Sequence, residues 1–374
     1  ILLSLVGSEM CIRDSSNAVS NFYANPDLTP EIHKELELGI EAKFLKNRVG
    51  VDVSLFTKDS EDLIIDLDLD NSTGYSSSTV NSASINNKGV EAILNVIPVQ
   101  SRDFTWDVTA SFSLLRSEVV SIADGIDQIY VGGYVGRGNI AIPGLPYGIL
   151  EGELIRRDYG SLDGTDHTQV NWDDRTGFTP FVNANGAYQF LGYGVIGNPQ
   201  PDYVYGVTNT LSYKWATLRV QFDSQVGGDV FSTTNSTLLG RGILQETDFD
   251  RFVPVVANAL TADDQKNTKQ VTPNQHYWRN TGVYHDENSI YDASVMRLRE
   301  VSLSFVAPKS FLNGTPFGNA SLTLSAQNIW HYAWNTPSET NFDPEVISYG
   351  AGSNARGFDE MTGPTAKKYG ATLS

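Results

Sequence analysis

Along several stretches of this chain apolar and polar residues alternate strictly, and the cleanest stretch runs from Phe104 to Leu114. Phe104, Trp106, Val108, Ala110, Phe112 and Leu114 alternate there with Thr105, Asp107, Thr109, Ser111 and Ser113. A period of two sends successive side chains to opposite faces of a β-strand, so such a stretch offers one face to an apolar medium and one to water. No helix fits it. Between Glu35 and Phe44 the same rule sets Leu36, Leu38, Ile40, Ala42 and Phe44 against Glu35, Glu37, Gly39, Glu41 and Lys43. After the polar turn Lys46-Asn47-Arg48 it resumes with Val49, Val51, Val53 and Leu55, Phe56 being the exception.

Nine strands follow from this reading, in pairs that repeat the first hairpin. Val90 to Val96 precedes Phe104 to Leu114. Tyr205, Val207 and Leu211 turn at Lys214-Trp215 into Ala216, Leu218, Val220 and Phe222. Val301, Leu303 and Phe305 return through Ala320, Leu322, Leu324 and Ala326, and the chain ends on Tyr369, Ala371 and Leu373. Each strand is expected near the ~9 to 11 residues that cross an outer membrane at a tilt. Short links (45–48, 97–103, 214–215, 306–319) alternate with long ones (59–88, 115–202, 225–294, 330–365). That asymmetry is the signature of a transmembrane barrel with brief periplasmic turns and large extracellular loops. Parity allows zero or two further spanning strands in 115–202; the Gly and Pro content of 140–156 favours zero and a folded surface loop. The Asn-, Thr- and Asp-rich 225–294 is expected to be exposed and mobile.

Composition limits the alternatives. With 26 basic and 44 acidic residues the net charge is −18, which excludes nucleic acid as a partner. No run approaches the ~18 apolar residues of a membrane helix, a test to which barrels are blind. The single Cys11 lies in residues 1–15, a stretch without a basic leader region that reads as foreign, adaptor-derived sequence. The domain proper is therefore expected at 16–374, with neither disulfides nor thiol chemistry.

Several segments resemble the SusC/RagA family of TonB-dependent outer-membrane transporters at its C-terminal end. They are Asn25-Pro26-Asp27-Leu28-Thr29-Pro30-Glu31 with Glu37-Leu38-Gly39; Ser72-Thr73-Gly74-Tyr75, Asn81 and Asn87-Lys88-Gly89-Val90-Glu91; and Phe104-Thr105-Trp106-Asp107. Gly197-Asn198-Pro199-Gln200-Pro201-Asp202-Tyr203, Gly227-Gly228-Asp229-Val230-Phe231, Arg297-Leu298-Arg299-Glu300-Val301-Ser302-Leu303-Ser304, Gln327-Asn328-Ile329-Trp330 and Phe342-Asp343-Pro344-Glu345-Val346 follow in family order. The resemblance implies an all-β, antiparallel transmembrane β-barrel, these nine strands being the last of about 22. It implies import of glycan or peptide oligomers across the outer membrane of a Bacteroidetes-like Gram-negative cell. Energy would come from TonB, and a SusD/RagB-like surface lipoprotein would act as lid. The family's leader, TonB-contact segment and plug domain have no counterpart here, nor does its terminal aromatic residue, so the chain is expected to be a fragment.

Catalysis has no support: no nucleophile elbow or phosphate-cradling loop is visible, and no enzyme activity or cofactor is expected. His33, His167, His276, His285 and His331 show no paired spacing for a metal. Asp66, Asp68 and Asp70 start like a calcium loop but meet Asn71 and Ser77 where Gly and Glu are required. Asp158, Asp163 and Asp166 are weak cation candidates, since the family's acidic loop is only partly matched. Tyr130, Tyr134, Tyr147, Tyr159, Trp172, Tyr188 and Tyr193, in the polar 115–202 stretch, are the substrate-contact candidates. Flat rings with a polar handle can stack on sugars or grip peptides, and equally can pack a loop's own core. Trp106, Tyr213, Trp215 and Trp330, at strand ends, fit a membrane-edge girdle. The alternative is a soluble carbohydrate-binding β-sandwich or β-solenoid.

Overall fold

The computed structural model describes residues 21–134, 136–158, 177–280, 285–340, 342–345, 348, 355–363 and 365–374. Residues 1–15 lie outside them. A short β1 (Phe22–Tyr23) precedes four long strands, β2 (Ile32–Phe44), β3 (Val49–Asp68), β4 (Ser77–Gln100) and β5 (Phe104–Ser121). Then come the short β6 (Ile129–Tyr134), β7 (Arg137–Ala141), β8 (Ile149–Ile155), β9 (Arg157–Asp158), β10 (Thr179–Pro180) and β11 (Phe190–Gly197). Long strands resume with β12 (Tyr203–Tyr213) and β13 (Ala216–Val226). The next excursion carries β14 (Asp229–Ser232), α1 (Thr233–Gly240), β15 (Val255–Val256), β16 (Gln270–Val271), α2 (Pro273–Asn280) and β17 (Ile290–Asp292). The chain closes with β18 (Val295–Val306), α3 (Lys309–Leu312), β19 (Ser321–Tyr332), β20 (Phe358–Asp359) and β21 (Lys368–Leu373).

The nine alternating stretches form one sheet in the order β2-β3-β4-β5-β12-β13-β18-β19-β21, antiparallel throughout, with β1 added to β4 in parallel. Among the described residues β2 and β21 are its edges and do not pair with each other. Register makes the two faces continuous. One row crosses eight strands as Ala42, Val51, Leu94, Ala110, Val207, Phe222, Leu298 and Trp330. The row one residue away crosses all nine as Lys43, Gly50, Asn95, Thr109, Thr208, Gln221, Glu300, Gln327 and Lys368. A soluble sandwich would have to cover the first row, yet Leu94, Phe222 and Trp330 are exposed, as are Leu36, Leu38 and Ile40 on the edge strand. Lipid is the medium that suits it. Along β5 the apolar band spans Phe104 to Leu114, roughly 33 Å of strand and, at the usual tilt, about the 25 Å of an outer-membrane barrel. Above it the same face turns polar through Thr57, Lys88 and Arg116.

Three expectations change. Strand lengths near ten residues hold for β12, β13, β18 and β19, whereas β3, β4 and β5 run to 20, 24 and 18 residues. The 59–88 connection is therefore the upper part of a β3–β4 hairpin, not a loop, because pairing continues to Asp68↔Ser77. Among the described residues no further strand of 115–202 enters the wall, one of the two outcomes that parity allows, but 140–156 is a folded element with a buried core and not a surface loop. Its strands β7 and β8 lie inside a separate sheet ordered β11-β8-β7-β6, and Ile140, Ile149, Leu150 and Ile155 are fully buried. Nor is 225–294 an irregular excursion. Phe231 packs with Phe358, Leu150, Leu154 and Ile196, while Val230 packs with Ala293 and Phe342. The long connections thus share a hydrophobic core of their own, above a wall whose apolar side faces outward.

Candidate functional site

Two β-bulges shape the polar face. Opposite β13, Gln221 pairs with Glu300 and Phe222 with Leu298, which leaves Arg299 as an extra residue; opposite β18, β19 carries its own extra residue where Asn328 adopts φ 51°. A bulge re-aims side chains, and here Arg297 and Arg299 both reach Asp223 on the polar face. Arg299 holds Asp223 through two contacts of 2.7 and 2.8 Å and Glu345 through two of 2.9 Å. Arg297, almost fully buried, donates to Asp343 at 2.8 Å and to Asp223 at 3.3 Å. Burial alone would raise the Asp343 carboxyl, but Arg297 and the Thr365 hydroxyl hold it below the usual carboxylate range. Two sequence motifs far apart, Arg297-Leu298-Arg299-Glu300 and Phe342-Asp343-Pro344-Glu345, are two halves of one ion-pair cluster that ties the connection after β19 to the wall.

Other motifs pair in the same way. Asn81 accepts from the Thr29 amide and donates to the Thr29 carbonyl, which fixes Asn25–Glu31 against β4. Asp229 accepts from the Asn198 amide at 2.7 Å, and Gly227 stands where a Cβ would meet the Asp202 carboxylate at 2.4 Å.

Beside the ion-pair cluster lies a cleft of about 510 Å³ lined by Asp52, Glu91, Ser111, Gln221, Asp223 and Arg297. It shares Ser113 and Val204 with a second cleft of about 400 Å³ bordered by Asn87, Leu115, Gln200, Tyr147 and Arg356. Together they form one groove along the polar face, leading up to the cap. Hydroxyls, amides and carboxylates line it beside apolar surface of similar extent, a lining suited to flexible molecules with both polar and apolar groups.

The aromatic candidates divide. Tyr147 borders the groove, and burial pushes its phenol up. Tyr130 and Tyr193 meet around Gly136: the Gly136 amide donates to the Tyr130 oxygen at 2.9 Å, and a Cβ there would strike the Tyr193 ring at 2.6 Å. Tyr130 donates to the buried Glu151, which also accepts from Gln128; burial and that carboxylate push the Tyr130 phenol up to about 12. Tyr193 stacks edge-on against Phe190, and Tyr134 is largely exposed. Tyr188 instead packs into the cap beside Val182, Ala257 and Ala259, with His276 and His285 against its ring. Tyr159, Trp172, Asp163 and Asp166 lie outside the described residues. Asp158 pairs with Thr179 in a two-stranded ribbon, and Asp66 accepts from the Thr79 hydroxyl at 2.5 Å. Among the described residues no three His, Cys, Asp or Glu side chains are grouped to hold a metal. Sequence reasoning missed the half-buried pair Arg137–Asp286 and the buried pair Arg157–Glu287, which join β7 and β9 to the turn before β17. Charge alone could not match residues some 130 to 149 positions apart.

An apolar-backed antiparallel sheet, with its polar face grooved and its long connections gathered at one end, defines a transmembrane β-barrel wall. The family described as "TonB dependent receptor-like, beta-barrel" matches residues 7–226, more than half of the chain, and the chain belongs to it. It is 28% identical over 320 residues to the TonB-dependent receptor P3 of Formosa agariphila, a match covering 82% of this chain and 30% of that protein. To the TonB-dependent receptor SusC of Bacteroides thetaiotaomicron it is 27% identical over 105 residues, 27% of this chain and 10% of that one. Its fold is similar to the RagAB peptide importer in the closed-closed state, with TM-score 0.64 and 21% identity over 93% of this chain and 36% of that one. The chain spans about a third of the length of the P3 receptor and of that importer chain.

Proposed function

We propose that this chain supplies wall and extracellular cap to an outer-membrane importer of the SusC/RagA kind, which draws energy through TonB and takes in oligomeric nutrients, glycans or peptides. The observation that carries the reading is the groove: it runs along the wet face of a sheet whose other face suits only lipid, and it leads from the wall to the cap. A glycan or peptide offers the hydroxyl and amide groups that Ser111, Ser113, Asn87 and Gln200 can bond, and Tyr147 gives a ring against which a sugar or side chain can lie. Tyr130, Tyr134 and Tyr193 are contacts for cargo entering the cap. A SusD/RagB-like lipoprotein closes over that cap, and a plug domain carried elsewhere couples the barrel to TonB. The chemistry is transport and not catalysis.

The test is uptake by cells in which the complete gene is deleted and then restored. Labelled oligosaccharides and peptides are offered in parallel, and one class should enter only the restored cells. Tyr147→Ala should reduce that uptake while leaving the amount of assembled barrel unchanged. Equal uptake of every oligomer with and without the gene would overturn the proposal.

A further inference from the structure

The short turns carry a charge opposite to that of the chain. In a molecule of net charge −18, the turns 45–48, 101–103, 214–215 and 307–320 contain five basic residues, Lys46, Arg48, Arg102, Lys214 and Lys309, against one acidic residue, Asp103. All four turns lie at one end of the wall, because they close successive hairpins of a single sheet. None of the five cations has an ion-pair partner among the described residues. Arg48 donates to the carbonyls of Ile97 and Pro98, and the Lys214 ammonium lies 5.3 Å from the Tyr213 ring centre. Lys46, Arg102, Lys214 and Lys309 all project from exposed turns.

Exposed apolar side chains accompany these charges. Leu45, Tyr213, Trp215, Phe311 and Phe317 are all more than half exposed. Between the β18–β19 turn and the outward face lies an open cleft of about 410 Å³ lined by Trp215, Phe305, Val306, Phe311, Leu322 and Leu373. Phe305, Leu322 and Leu373 form the last outward row of the wall, so the cleft opens where the apolar band ends. An amphiphile with an acyl chain and an anionic head matches both features, and the lower edge of the band stands at headgroup height.

We infer that the turn end of the wall is a docking surface for anionic phospholipid of the periplasmic leaflet, with headgroup phosphates on Lys46, Arg102, Lys214 and Lys309 and an acyl chain in the cleft under Trp215 and Phe311. The inference rests on the reading of the sheet as an outer-membrane wall. Its consequence is that the barrel selects its inner-leaflet lipid by charge, at the end remote from the cap.

The test uses the complete barrel that contains this chain, purified in mild detergent and offered equal amounts of phosphatidylglycerol and phosphatidylethanolamine with identical acyl chains. Native mass spectrometry reads the retained lipid, and heat-modifiable migration reads the barrel. Phosphatidylglycerol should be retained in preference, and the preference should fall by about fivefold for each cation removed in the series Lys46→Gln, Lys214→Gln and Lys309→Gln. Raising the salt should weaken it in the wild type. Phe311→Ser should reduce retention of both lipids alike. Equal retention of the two lipids by the wild type, or a preference that survives all three substitutions, would overturn the docking surface while leaving the wall intact. A wild type that shows no heat-modifiable barrel would strike the wall reading, and the inference with it.

Discussion

Phe56 breaks the alternation of β3 by pointing an aromatic ring to the wet face, and its register partner explains it. Directly opposite stands Gly89, where a Cβ would come within 2.3 Å of the Phe56 ring. The glycine of the Asn87-Lys88-Gly89-Val90-Glu91 motif thus leaves room for a cross-strand ring, a known way of stabilising glycine in sheets. Gly89→Val should cost about 1–3 kcal/mol by overpacking, seen as a lower unfolding temperature of the assembled barrel. Phe56→Ala added to it should restore part of the loss. His285 makes a second case, at the cap. Burial pulls its imidazole down to about 4 from the ordinary 6.5, and Asp286 offsets only part of that. The folded state therefore takes up its proton less readily than the unfolded chain does. Stability from this group is intact above about pH 6.5 and is lost as the pH falls toward 4. Hydrogen exchange at 285–289 should accelerate over that window in the wild type, and His285→Gln should flatten the response.

Elements act through their register. Leu324 lies in the outward row with Leu303 and Leu218, and Ser325 lies in the inward row with Ser302 and Arg219. Arg at Leu324 or Ala110 should cost about 2–4 kcal/mol near the bilayer midplane, whereas Arg at Ser325 or Thr109 should be mild. Membrane assembly of the complete barrel reads the difference, and equal tolerance on both faces would contradict the wall. The bulges on β18 and β19 set up a different dependence, since they bring Arg297 and Arg299 to the segment Phe342–Glu345. Arg297→Met strands the buried Asp343 carboxylate and should destabilise by about 3–5 kcal/mol, while the pair Arg297→Met with Asp343→Leu should cost less because no buried charge remains unpaired. Thermal melts of the two variants make the comparison.

At the scale of the whole molecule, burial is concentrated in the cap and not in the wall. The largest fully buried side chains include Phe231, Phe358, Ile140, Leu150 and Leu154, all from long connections. A wall one sheet thick has lipid on one side and water on the other, so its side chains keep much of their exposure until a bilayer covers them. The cap has no such solvent and must supply its own core. Protease added to intact cells should therefore spare Val230 to Ser232, which are buried, and cut first at Asp250–Val253, where Phe252 is 94% exposed. Cleavage confined to the 45–48 or 214–215 turns would reverse the sidedness of the wall.

Nine wall strands, their two faces and the gathering of the long connections at one end were legible in the sequence, because a strand at a lipid boundary writes its environment into every second residue. The motifs from Asn25-Pro26-Asp27 to Phe342-Asp343-Pro344 could be picked out one by one. That Arg297 and Arg299 answer Asp343 and Glu345, or that Asn81 answers Thr29, could not, since a hydrogen bond between residues 46 or 52 positions apart leaves no local period. The cap escaped for the same reason. Its strands are short and rich in glycine, and the central β7 and β8 are buried on both faces, so Ile140, Ile149 and Leu150 show no alternation to read. Only the packing of three long connections against one another made a core of them, and that is a property of contacts between distant segments, which the tertiary structure alone decides.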